Sequence, residues 1–263
     1  MLTPNFFNTY FIIPILNVLV LLYKVFLFLK LPGAFGFAVI GLTVLVRLVL
    51  HPFFKQQLEM SKKMQEMKPH LDRLSQQHKN DKSKLQQEQL KLYQQAGINP
   101  ASGCLFMIIQ IPVFIGLYNT LSLFLLNGHG PAIINKINNV LYSPLLRISS
   151  IDSWFFGFNL AATPAKGGQW FYYLIPVLTG VLQYLQVQVS MPSSAKAPEG
   201  KPAIEEKKED SGDFQKAMNT QMKFIFPLMI GWFSYTLPVG LSLYWNIFSL
   251  FSIMQYRNLK TKN

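Results

Sequence analysis

The chain has 263 residues, half of them hydrophobic and only 14% charged, with 22 phenylalanines and a mean hydropathy of +0.23. That profile excludes an ordinary water-soluble domain and fits an all-α integral membrane protein. The formal net charge of +12 then reads as a topology and anionic-lipid signal. Direct nucleic-acid readout would want aromatic residues interleaved with the lysines, and the basic segments have almost none.

A bilayer core about 30 Å thick needs roughly 20 apolar residues per helix. The first run, Tyr10 to Leu31, is long enough, but it carries Asn17, Lys24 and Lys30 and has Pro14 near its start. It can span or lie in the interface; a secretory signal would need positive charge ahead of it, and none precedes Tyr23, so it is read as uncleaved. Five better runs follow: Phe35 to about Phe53, Cys104 to Leu126, Trp170 to Val189, Phe224 to Leu237, and Val239 to Tyr256. The fourth is short unless it starts near Met218, and "LPVG" turns it tightly into the fifth.

Lys and Arg beside the spans set the orientation. Nine fall between Lys55 and Lys91 and three more in Arg257, Lys260 and Lys262, whereas residues 127–169 hold only Lys136, Arg147 and Lys166. The expected layout is an outer-face interfacial helix at 1–33, a first span at 34–54, a cytoplasmic helical hairpin at 55–100 and a second span at 101–126. An extracytoplasmic segment at 127–168 and a third span at 169–190 follow. A disordered cytoplasmic linker at 191–217, spans at 218–237 and 239–256 and a short basic tail at 257–263 complete it. The N-terminus lies outside and the C-terminus inside.

The hairpin is legible in Met60, Met64, Met67, Leu71 and Leu74, whose spacings of four and three make a coiled-coil seam. Pro69 is expected to kink that arm, and "HKNDKSK", His78 to Lys84, to turn the chain into a second helix. The seam serves either to hold a solvated connector together or, since methionine suits adaptable surfaces, to bind partners. Ser193 to Asp213 is rich in Pro, Glu, Lys and Ser and has little to bury. In the outer segment, Ile133, Ile134, Ile137, Val140 and Leu141 suggest a short helix lying on the membrane.

Catalytic signatures are missing from the sequence. It has no phosphate loop and no H-E-x-x-H, a single cysteine (Cys104), and histidines scattered at 51, 70, 78 and 129. No metal, cofactor or enzymatic reaction is expected. The five spans contain no Asp or Glu, which argues against ion-coupled transport. They do contain Arg47, about 12 residues into the first span and on the order of 8 Å inside its cytoplasmic boundary. An arginine at a span centre costs about 2.5–3.5 kcal/mol. Either Arg47 snorkels out to water, or it faces a wet cavity lined by glutamines. The neutral polar residues of the spans are Thr43, Gln110, Tyr118, Asn119, Gln183, Gln186, Gln188, Tyr244 and Asn246, of which Thr43, Gln110, Gln183, Gln186 and Asn246 are the candidates to line such a cavity.

Four stretches in fixed order, "GFAVIGLTVLVRLVLHPF", "SKKMQEMKPHLDRL", "YQQAGINPASGCLFMIIQIPVFIGLY" and "LPVGLSLYWNIFSLFSIMQ", together resemble the YidC/Oxa/Alb family of membrane protein insertases. The resemblance covers about Asn5 to Tyr256 and implies five transmembrane helices around a hydrophilic groove open to the cytoplasm and to lipid. It implies a bacterial inner-membrane protein in the family's lean form, without a large outer domain. It places the groove arginine at Arg47, the third-helix glutamine at Gln186 and the fifth-helix tryptophan at Trp245. Asn99 would then cap the second span and Pro100 open it. The implied partners are newly made membrane proteins and, through the hairpin, the Sec translocon, the signal recognition particle receptor and the ribosome. A small anion-selective channel lined by Arg47, Gln110 and Gln186 is the rival reading.

Overall fold

The computed structural model describes residues 5–78, 81–97, 101–125, 130–166, 169–190 and 221–261. Helix α1 (Ile13–Phe28) continues a π turn at Asn8–Ile12, and Pro14 sits in its first α-helical turn, at the junction of the two. It ends in a Schellman pair, Lys30 N–H to Leu27 O and Leu31 N–H to Phe26 O, with Lys30 in the left-handed position at φ +55°. A short turn through Gly33 (φ +75°) leads to α2 (Ala34–Val49). Ring contacts of Tyr23 with Phe35 and Phe26 with Phe37, and Leu22 beside Gly41, fold α1 and α2 into a helical hairpin.

Asn8–Phe28 is one continuous helical stretch of 21 residues with hydropathy 2.4, long and apolar enough to cross a membrane. Its polar residues have partners. Asn17 donates to Ile13 O and Val140 O and accepts from Tyr142 N–H, Lys24 donates to Leu145 O, and the Tyr23 hydroxyl accepts from Asp152 N–H. Each ties α1 to the segment between α5 and α7. Farther back, Phe11 and Ile15 press on α5 (Ala101–Leu125) at Gly116, where a β-carbon would meet Ile15 at 2.9 Å.

The run expected to be the first span differs from expectation at its C-terminal end. It bends by 63° at Leu50, and α3 (His51–Gln77) begins there. Pro52 causes the break: in a continuous helix it would lack its N–H and its ring would strike the carbonyl at Leu48. Pro69 lies inside α3, which continues through it to Gln77. The turn at His78 leads to α4 (Lys82–Gln95), capped by Asp81, whose side chain accepts from Lys84 N–H at 2.9 Å. Asn99 and Pro100 lie outside the described residues, as does the linker from 191 to 217.

Within residues 130–166, α6 (Pro131–Asn138) forms as expected, but its apolar stripe faces protein. Ile134 and Ile137 are buried in the main core, with Ile133, Val140 and Leu141 packed against it. A membrane-lying helix would turn those residues to lipid, so that expectation is corrected. A two-stranded antiparallel hairpin, β1 (Trp154–Phe155) and β2 (Phe158–Asn159), lies on the start of α2. A β-carbon on Gly36 would strike the Phe155 ring, so this contact requires glycine.

Helices α7 (Leu174–Ser190), α8 (Phe226–Thr236) and α9 (Val239–Thr261) complete the bundle. α9 packs between α2 and α7, and α8 covers α7. Gly180 and Gly231 let α7 and α8 touch at backbone distance: a β-carbon on Gly231 would sit 3.4 Å from Pro176 O and 3.7 Å from Gly180 Cα. Phe35, Phe124, Leu16, Leu42 and Leu121 are fully buried where α1, α2 and α5 meet. Among the described residues, Asn8–Phe28 and, if the bent pair Ala34–Val49 and His51–Met64 counts as one, that pair are long and apolar enough to cross a membrane, and Ile111–Leu125 within α5 is a shorter apolar helix.

Candidate functional site

Arg47 lies in the last turn of α2, where the helix dipole favours a cation. Only 2% of it is exposed, so it does not snorkel to water. Its Nη2 donates to Phe248 O at 3.0 Å and to Ser252 Oγ, and Nη1 donates to Gln255 Oε1 at 3.4 Å, all three on α9. The guanidinium carbon lies 3.7 Å from the centroid of Phe248 and 4.1 Å from that of Phe54, which α3 brings over after the bend. Each such contact adds roughly 0.5–2 kcal/mol. The bend at Leu50 therefore builds one wall of the site.

No acidic side chain pairs with Arg47 among the described residues; both recorded ion pairs, Lys55 with Glu59 and Lys91 with Glu88, lie on the hairpin. Its Nε has no hydrogen-bond partner. The same holds for two buried acceptors, Gln186 Oε1 on α7 and Asn246 Oδ1 on α9. Leaving a buried polar atom unpaired costs about 1–3 kcal/mol, which a bundle tolerates where it holds water or a ligand.

The neighbouring polar groups form rungs between α7, α8 and α9. Ser234 donates to Thr179 Oγ1 at 3.2 Å and lies 2.7 Å from Ser242 Oγ, and Ser249 donates to Gln183 Oε1 at 3.1 Å. Gln186 follows Gln183 by one turn on α7, and Ser252, one of the three Arg47 acceptors, follows Ser249 by one turn on α9. Gln255 reaches from Arg47 to His51, its Nε2 3.3 Å from His51 Nδ1.

Of the residues picked from sequence, Arg47 and Gln183 are bonded to α9, and Gln186 and Asn246 each carry a buried acceptor without a partner. Thr43, one turn before Arg47, is buried and donates to Val39 O in its own helix at 2.7 Å. Trp245 turns toward α5, stacked on Phe114 at 5.9 Å and 16°. The Gln110 side chain lies outside the described residues. Phe54, Phe248, Ser249, Ser252 and Gln255 went unread. For Ser249, Ser252 and Gln255 the signal was the polar stripe Ser242, Asn246, Ser249, Ser252, Gln255 along α9, spaced by three and four.

On the hairpin, Met67 is buried and Met60, Met64, Leu71 and Leu74 half-buried, so the methionine seam is partly closed by its own chain. Beside it a cleft of about 310 Å³ is lined by His70, Arg73, Leu74, Gln77, Lys91 and Leu92, among others. Lys91 donates to Glu88 Oε1 at 2.9 Å and holds that carboxyl below its usual range.

The site is thus a buried arginine without an acidic partner among the described residues, in an all-helical bundle that also holds orphan acceptors and includes a helix long and apolar enough to cross a membrane. The 60Kd inner membrane protein family model matches residues 26–263. The chain belongs to this family, the YidC/Oxa/Alb family of inner membrane proteins. The inner membrane ALBINO3-like protein 2 of Chlamydomonas reinhardtii is 33% identical over 88% of this chain and 51% of its own length. The inner membrane protein ALBINO3 of Arabidopsis thaliana is 34% identical over 81% of this chain and 44% of its own. The membrane protein insertase YidC of Oceanobacillus iheyensis is 27% identical over 97% of this chain and 84% of its own. The chain thus spans about half the length of these plastid relatives. The channel reading finds no support in these names.

Proposed function

We propose that this chain is a membrane protein insertase, and that the polar layer around Arg47 is where a substrate's hydrophilic segment is received. The observation that carries this reading is a buried guanidinium with no carboxylate partner among the described residues, in a bundle that also holds unpaired buried acceptors at Gln186 and Asn246. In a low-dielectric setting a fixed positive charge attracts an acidic or polar segment far more than it would in water. The layer shortens the apolar distance that segment must cross, and the substrate's hydrophobic part leaves sideways into lipid. The relatives' names, insertase among them, support the reading. No covalent step is required.

In this account α2, α5, α7, α8 and α9 are the five spans, the groove opens to the cytoplasm, and α1 is an outer-face helix; its bonds to Val140, Leu145 and Asp152 of the outer segment favour that placement. The N-terminus is then outside, the C-terminus inside, and the hairpin of α3 and α4 meets cytoplasmic partners. Arg47 is held shut by α9 here, so receiving a substrate means exchanging Ser252, Gln255 and the Phe248 carbonyl for groups of the incoming chain. The test is reconstitution with a small single-span protein and crosslinking from Gln186→Cys in a Cys104→Ser background. Crosslinks to the inserting segment are expected. Solute flux without crosslinks would favour a channel.

A further inference from the structure

Among the described residues only two non-glycine positions have positive φ, Lys30 at +55° and Phe156 at +47°. Phe156 and Gly157 (φ +86°) are the two loop residues between the paired Phe155 and Phe158, and both having positive φ is the pattern of a type I′ turn. Asn or Gly normally takes the first of these places, because a bulky side chain strains the left-handed backbone. Here a phenylalanine takes it and is 70% exposed. The strain does not serve to bury the ring.

The surroundings of that ring are apolar. It packs edge-on against Phe37 at 5.9 Å and Phe155 at 4.8 Å, and Phe37 in turn meets Phe26 at 5.8 Å. This row of rings joins the hairpin tip to the α1–α2 turn, where Phe28 is 86% and Leu29 56% exposed and Lys30 projects from its left-handed cap. Trp154, on the strand face opposite Phe155, is 55% exposed. The patch is thus continuous with the ends of two apolar helices, and its make-up is aromatic and aliphatic with a lysine at the edge. That is the chemistry of the headgroup boundary, where rings sit among the upper acyl carbons and a cation reaches phosphate.

We infer that the β-hairpin tip, Phe156 with Trp154, is a membrane wedge that docks in the lipid interface at the outer ends of α1 and α2, with Lys30 on the phosphates. Phe155 fills the gap at Gly36, so the wedge is coupled rigidly to the helix that carries Arg47 and sets that helix's height in the bilayer. The inference rests on the family's membrane setting and uses no substrate, so it can fail while the insertase reading stands.

The full chain carrying Cys104→Ser and Phe156→Cys is labelled with a nitroxide in phosphatidylcholine–phosphatidylglycerol vesicles, with Ser150→Cys as the exposed loop control. Label at 156 is expected to collide several-fold more with oxygen than with a water-soluble nickel chelate, and label at 150 the reverse. Equal nickel access at 156 and 150 overturns the proposal and leaves a protein partner for the patch. In case substitution at 156 disturbs the turn, a variant keeping Trp154 as its sole tryptophan gives a second reading. Shallow-brominated lipids are expected to quench it and aqueous iodide is not; iodide quenching at the level of free tryptophan overturns the wedge equally.

Discussion

The guanidinium of Arg47 lies 3.7 Å over the ring of Phe248 and also donates to that residue's own carbonyl at 3.0 Å. One residue on α9 thus offers both an aromatic face and a backbone acceptor to the charge on α2. Ser252, one turn on, donates to the same carbonyl at 3.0 Å while accepting from Arg47. The three form a clasp between the two helices. Ser252→Ala removes a bond to a charged group and is expected to lower stability in detergent by about 1–3 kcal/mol, read by denaturant unfolding. No change would show that the clasp does not join the helices.

Gln186 separates stability from function. Its unpaired Oε1 burdens the folded bundle, so Gln186→Leu is expected to raise the melting temperature in detergent while slowing substrate insertion severalfold. A variant that loses both would make Gln186 a structural residue.

The α7–α8 contact is expected to tolerate alanine and reject anything larger. A β-carbon at Gly231 would meet its neighbours at ordinary van der Waals distance, whereas leucine has nowhere to go. Gly231→Leu should cost about 1–3 kcal/mol by overpacking, and Gly231→Ala far less, in thermal unfolding of the purified protein.

What sequence revealed and what it hid divide along physical lines. The hairpin of α3 and α4 showed itself through local signals, the Met and Leu spacing and the polar turn capped by Asp81. Arg47, Gln183 and Gln186 stood out because polar residues in apolar runs are costly. The bend at Leu50 was written in Pro52, yet an apolar run of helix length concealed it. The stripe of α6 was visible, but periodicity cannot tell a face on protein from a face on lipid, and Ile137 is fully buried. Phe54 and Phe248 were beyond reach. Phenylalanine in a span gives no sign that its ring covers a cation on another helix.

The charge at Arg47 is the centre of the account, and charge can be varied with little change of shape. Proteoliposomes holding the wild-type chain, Arg47→Lys or Arg47→Ala are given a single-span substrate with an acidic tail or its neutral counterpart, and the rate of tail translocation is measured. Even at an effective dielectric of 20, an ion pair at close range is worth several kcal/mol before desolvation, so Arg47→Ala is expected to slow the acidic tail by about tenfold or more. Arg47→Lys is expected to retain most of the rate, and the neutral tail to respond least. Wild-type translocation of the acidic tail by Arg47→Ala would contradict the account.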